Sequence, residues 1–222
     1  MWNALPNLLD GVGITLGLVV GSVGVGILLG VPIGIGHVYG PGWVRAGLWL
    51  FDWVFRGFPA IVLLFLAFFG LGQLMSVRVP PVLAVVIALG LRSAAYQGQI
   101  YRGALGMVEP GQIEAARALG LSLPRTVQHI LLPQAVRFSL PALSNEYSVV
   151  LKDTALAFAV GVVELMSRAK FLAMRSREAL AAYLLVAAIY FVLTYAGLAV
   201  FWLIERTVAV PGLGQRRVRR SR

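Results

Sequence analysis

The chain has 222 residues and a formal net charge of +10 at pH 7. Hydrophobic residues make up 59% and charged residues only 13%, with a mean hydropathy of +0.84, so too little polar sequence remains to cover a water-soluble globule. A cytosolic enzyme is excluded and an integral membrane protein is indicated; with no cysteine, disulfides and thiolate metal sites are excluded as well.

Residues 11–44 contain no Asp, Glu, Lys or Arg, where about 20 apolar residues suffice to cross the hydrocarbon, so a first span is placed near 12–36. No basic segment precedes it, which argues against a signal peptide. Gly13, Gly17 and Gly21 repeat every four residues, and so do Gly26, Gly30 and Gly34; such stripes let a second helix approach closely in lipid. Pro32 is placed to bend this helix. A second span over 44–74 begins among Trp43, Trp49 and Trp53, which suit the membrane interface, and continues through the uncharged run 57–77. Ser76 to Pro81 form a turn. The third span, 79–100, is interrupted by Arg92, which is expected to snorkel or to line a crevice.

Residues 102–137 are polar enough to lie outside the membrane, with Arg102, Glu109, Glu114, Arg117, Arg125, His129 and Arg137. Pro110 and Pro124 each open a short helix, and Gly120 is suited to end the first of them. A fourth span over 138–162 contains Glu146, Lys152 and Asp153; a polar loop over 164–178 and a fifth span over 179–204 follow. The expected organisation is therefore all-α: one transmembrane domain over 1–205 with five spans, then a basic tail over 206–222. Five spans put the termini on opposite sides. With the N-terminus outside, 13 basic residues fall on the cytoplasmic side and 5 on the outer side, which predicts a cytoplasmic C-terminus. The basic excess is accounted for in this way, and no nucleic-acid partner is expected.

From residue 114 the sequence becomes specific. Glu114-Ala115-Ala116 is followed after three residues by Gly120, and after nine more by Ile130-Leu131-Leu132-Pro133. This spacing resembles the EAA loop of the permease subunits of bacterial ABC importers. Arg56-Gly57-Phe58-Pro59, the stretch Ala95 to Gly103, Gly111-Gln112-Ile113-Glu114, Leu151-Lys152-Asp153-Thr154 and Gly161-Val162-Val163-Glu164-Leu165 are similar to motifs of the polar amino acid permeases. Gln99, Phe58 and Ala155 depart from that pattern. The resemblance implies a type I ABC importer permease fold with short cytoplasmic coupling helices, in the bacterial inner membrane. It also implies two ABC ATPase subunits, a second permease subunit of the same or a similar chain, and an extracytoplasmic amino acid-binding protein. No Walker A sequence is present, so this chain is expected to be non-catalytic and without a cofactor or metal of its own. ATP and Mg are expected on the partner ATPase.

Two sets of residues then stand out. Glu114, Ala115, Ala116, Arg117, Gly120 and Pro133 are expected to couple the permease to the ATPase, Gly120 by allowing a sharp helix exit. Glu146 and Asp153 are seven residues apart and share one helix face. Two carboxylates in a membrane helix are costly unless they meet water or a cation, so together with Ser139, Asn145 and Thr154 they are expected to line the path of a cationic amino acid such as arginine, lysine or histidine. Internal neutralisation is the competing reading, with Lys152 pairing Glu146, Glu164 or the other subunit. A neutral or acidic polar amino acid is the alternative substrate class, and a secondary transporter or a non-transporting scaffold the alternative function. His37 is read as a helix-end or interfacial residue.

Overall fold

A computed structural model describes residues 5–208; among them there is no strand. The helices are α1 (Leu5–Tyr39), α2 (Gly42–Gly57), α3 (Ala60–Phe65), α4 (Leu71–Met75), α5 (Pro81–Leu105), α6 (Pro110–Ala118), α7 (Leu123–Thr126), α8 (Leu132–Asp153), α9 (Leu165–Ser176) and α10 (Ala179–Val208). π-turns join α3 to α4 and α7 to α8, and a 3-10 stretch, Thr154–Val160, continues α8. By length and composition α1, α5 and α10 can each cross a membrane, and the bent pair Gly42–Gly57 with Ala60–Leu74 adds a fourth crossing if it is one span. At 22 residues α8 is about 33 Å long. Its Arg137, Glu146, Lys152 and Asp153 set it apart from α1 and from α10, which carry their charged residues only near their ends. The chain is an all-α membrane protein.

Several boundaries differ from the sequence reading. The second span, expected as one helix over 44–74, is broken between Gly57 and Ala60 with a bend of 105°. Pro59 causes the break: it disfavours helical geometry in the residue before it, and Phe58 is extended at φ −87° and ψ 145°. Beyond it the helix widens to a π-turn at Leu66–Gly70. By contrast α1 runs unbroken through Pro32. The fourth span starts at Leu132 rather than 138, so the end of the polar block 102–137 is continuous with it, and its regular α-helix stops at Asp153 rather than near 162. The polar loop 164–178 is largely the helix α9, whose Leu165, Ser167, Ala169 and Ala173 are buried. Its charge density concealed that amphipathic pattern. Most of the basic tail, 209–222, lies outside the described residues.

Packing is closest between α1 and α5. A Cβ at Gly30 would meet Gln97 Cβ at 2.8 Å and Gly98 N at 3.2 Å; one at Gly34 would meet Tyr101 Cβ at 2.6 Å. Gly90 on α5 reciprocates, with Val25 Cβ 2.8 Å from its virtual Cβ. The second glycine stripe is therefore a helix–helix seam. The first stripe is not: Gly21 meets Val86, but nothing lies within 4 Å of Gly13 or Gly17. Near its start α1 turns another face inward, where Gly11 abuts Leu165 and Thr15 Oγ1 accepts a bond from Leu165 N (3.2 Å). Glu164 locks the same corner. Its carboxylate caps α9 by accepting from Met166 N and Ser167 N, both at 2.7 Å, and accepts from Tyr190 Oη of α10 at 3.1 Å. Burial pushes this carboxyl above the ordinary range, against the opposing effect of those donors.

A second buried cluster, Ala104, Leu105, Val108, Val127, Leu131 and Ala135, joins the end of α5 to the start of α8 and supports α6 through Ile113. The rest of the core gathers α1, α3, α5 and the 3-10 stretch around Leu64, Val85, Leu89 and Ala157.

Candidate functional site

The segment Glu114–Gly120 is presented outward at one end of the bundle. Pro110 starts α6, where its missing N–H costs nothing, and Ile113 and Ala116 anchor the helix inward. Gln134 of α8 donates to Gln112 Oε1 at 2.6 Å and fastens α6 to the span that follows. Glu114, Ala115, Arg117 and Ala118 are exposed, and Leu119 is 81% exposed. Ala116, by contrast, faces its own chain. Gly120 takes the left-handed conformation at φ +75°, and Gly120 N and Leu121 N bond back to Arg117 O and Ala116 O. This Schellman ending turns the chain sharply away from α6. Pro133 is exposed near the start of α8.

Buried polar residues form a layer between α5 and α8. Glu146 is 5% exposed and accepts from Ser93 Oγ at 2.8 Å; Ser93 in turn accepts from Gln97 Nε2 at 3.1 Å. Asp153 is paired with Arg92, whose Nη1 donates at 2.6 Å. Tyr96 completes the layer, with the guanidinium of Arg56 at 4.9 Å and that of Arg92 at 5.0 Å from its ring centre. Arg92, expected to snorkel or to line a crevice, instead pairs with Asp153 and neutralises it. The expected pairing of Lys152 with Glu146 or Glu164 does not occur: Lys152 lines a separate cavity with Tyr183, Tyr190 and Thr194. Glu146 has no ion-pair partner among the described residues.

The other expected pathway residues do not join this layer. Ser139 is buried and donates to Val136 O at 2.7 Å, and Thr154 is buried and donates to Leu151 O at 2.6 Å. Both hydroxyls are bonded within their own turn. Asn145 is exposed.

Sequence reasoning missed a second buried group. Asp52 of α2 is 2% exposed; its Oδ2 lies 2.7 Å from His37 Nε2 and accepts a bond from Gln99 Nε2 as well. Arg102 Nε donates to Gln99 Oε1 at 2.8 Å, and Trp49 packs against both His37 and Arg102. His37 lies in the last turn of α1, at the helix end as expected, and is buried there. The departure at Gln99 keeps a hydrogen-bonding role, to Asp52. The discernible signal was Asp52 itself, an acid among the tryptophans of an amphipathic stretch; its partners, 15 and 47 residues away, left none.

The comparisons with known proteins agree on one group. Residues 22–210 match the family described as "Binding-protein-dependent transport system inner membrane component". The chain is 36% identical over 205 residues to the histidine/lysine/arginine/ornithine transport system permease protein HisM of Salmonella typhimurium, covering 88% of this chain and 87% of that one. It is 34% identical over 203 residues to the arginine transport system permease protein ArtQ of Bacillus subtilis, covering 88% and 91%. Among solved structures, an amino acid ABC transporter with histidines superposes with a TM-score of 0.83 at 33% identity, over 93% of this chain and 96% of that chain.

Proposed function

The chain belongs to the family of binding-protein-dependent transport system inner membrane components, and from that premise we propose that it is the non-catalytic permease subunit of an ATP-driven importer for cationic amino acids. The observation that carries the substrate class is Glu146, a buried carboxylate whose one hydrogen-bond partner among the described residues is the neutral hydroxyl of Ser93. A buried carboxylate without a counter-ion is costly, and a guanidinium or ammonium arriving beside it offsets that cost through a charge-assisted bond. Asp153 takes part through Arg92, which either holds it in reserve or exchanges it for the incoming cation. The names of HisM and ArtQ support the same class.

In this reading two permease subunits, of the same or a similar chain, enclose the pathway. Two ATPase subunits holding ATP and Mg dock on Glu114, Ala115, Arg117 and Gly120, and a binding protein delivers substrate from outside. Residues 1–205 act as one transmembrane domain with the N-terminus outside and the 102–137 block inside. Cysteine placed at Ser122 is expected to be labelled only after the cytoplasmic side is opened, and labelling of intact cells from outside would overturn the orientation.

Reconstituted complexes carrying Glu146→Gln with Asp153→Asn test the substrate class. They should assemble normally and lose at least tenfold in arginine and lysine uptake. Normal uptake of cationic amino acids by the double variant would shift the reading to a neutral or acidic polar amino acid.

A further inference from the structure

Below the Glu146 layer, on the side of the coupling helix, a cavity of about 330 Å³ is lined by Trp49, Asp52, Trp53, Arg56, Gly57 and Tyr96. We infer that this cavity is a second substrate station, which holds an α-amino acid by both of its charges. The carboxylate would lie on Arg56, the cationic group on Asp52, and the aliphatic stem against Trp49, Trp53 and Tyr96. This inference rests on the cationic amino acid reading above and extends it from one site to a path.

Three observations converge. Asp52 and Arg56 are one helical turn apart on α2, so both project to the same side, yet they form no ion pair with each other. A negative and a positive group held apart in one cavity complement a zwitterion, whereas a surface pair would have closed on itself. Secondly, Asp52 Oδ2 is occupied by His37 and Gln99, but Oδ1 is buried with no partner at all. On the far side of the pair, His37 Nδ1 is likewise buried without a partner. Thirdly, the walls are aromatic. Such faces attract a cation and cover an aliphatic stem without binding it tightly, as a transit station requires.

The position along α5 supports transit. Arg92 and Ser93 hold the upper acids, and Gln99 holds Asp52. The six residues from Ser93 to Gln99 place the two layers about 9 Å apart along the helix. Arg56 and Tyr96 border both layers, since Arg56 lies over the same Tyr96 ring as Arg92. A substrate leaving Glu146 therefore meets the lower cavity without crossing an uncharged gap.

Equilibrium binding of radiolabelled arginine to the permease–ATPase complex in nanodiscs, without binding protein, tests this. In a Glu146→Gln, Asp153→Asn background a weaker binding component should survive. Adding Asp52→Asn or Arg56→Gln should weaken that component at least tenfold. Agmatine, which lacks the carboxylate, should compete for it at least tenfold less well than arginine; a merely structural role for Asp52 would leave that ratio unmoved. Arg56 is exposed, so Arg56→Gln remains informative if Asp52→Asn disturbs His37 and Gln99. No surviving component, or one indifferent to both substitutions, overturns the second station. That result is separable from failure of the substrate reading, in which the parent complex itself neither binds nor transports cationic amino acids.

Discussion

The two halves of α1 carry the same signature, glycine at every fourth residue, and the structure uses them differently. Gly26, Gly30 and Gly34 are closed by α5, which brings backbone against backbone, while Gly13 and Gly17 face nothing within 4 Å. The difference shows what a small-residue stripe encodes: permission for a close approach, without naming the partner. It also explains why the polar layers sit on α5. Gly26 lies directly over Ser93 and Gln97, so the side chains that hold Glu146 are fixed by this close-packed seam. The arm formed by α2 and α3, which supplies Asp52 and Arg56, is instead bent by 105° at Phe58 and Pro59 and is held to that seam by side chains: Asp52 by its bonds to His37 and Gln99, Leu63 and Leu64 by burial.

The largest expected effect comes from breaking the seam. Gly34→Leu drives a side chain into Tyr101 Cβ, with Gly98 O at 3.0 Å and Arg102 N at 3.2 Å, and backbone cannot rotate away. Overpacking costs about 1–3 kcal/mol where side chains can adjust, and this site belongs at or above the upper end. The yield of monodisperse protein in detergent should collapse. Gly17→Leu, in open space, should change the melting temperature little, as an exposed substitution typically stays within about 0.5 kcal/mol. If Gly17→Leu folds but no longer assembles, the N-terminal half of α1 is closed by another subunit and the two halves are equivalent after all.

A smaller effect is expected where the seam meets the charges. Arg92→Gln leaves Asp153 half-buried without its cation, at a cost of about 1–3 kcal/mol. The assembled complex should melt several degrees lower, and Arg92→Lys should recover part of the loss. Equal stability in all three would mean that water or another subunit already compensates Asp153.

The short helix α6 and its ending at Gly120 were legible because their information is local: a proline to open the helix and a glycine to end it. The common face of Glu146 and Asp153 was legible for the same reason, since helical periodicity fixes it. Their partners were not, because Ser93 and Arg92 come from another helix 53 and 61 residues away. The break before Pro59 could have been read from the proline, but the unbroken apolar run over 57–77 outweighed it. Ser139 and Thr154 were assigned to the pathway as polar atoms in a membrane helix. Such hydroxyls commonly bond their own preceding turn, and both do.

The smallest expected effect is at Gly120, where the two sources of damage can be separated. No atom lies within 4 Å of a Cβ built there, so a larger side chain fits, and the penalty comes from the backbone. At φ +75° an ordinary L-residue is disfavoured by about 1–2 kcal/mol, while asparagine tolerates the left-handed region better. Gly120→Leu should loosen the two bonds that end α6, so that Leu119 and Arg117 no longer sit at a fixed angle, and Gly120→Asn should stay near the parent. The measurement is uptake per ATP hydrolysed in proteoliposomes, with binding protein present. The expected order is parent, then asparagine, then leucine, with a fall of a few-fold at leucine and no change in melting temperature comparable to that of Gly34→Leu. Equal impairment by asparagine and leucine would place the damage in bulk at the docking surface rather than in the turn. Normal coupling in both would remove the left-handed turn from the coupling mechanism and leave the exposed face of α6 as its remaining candidate.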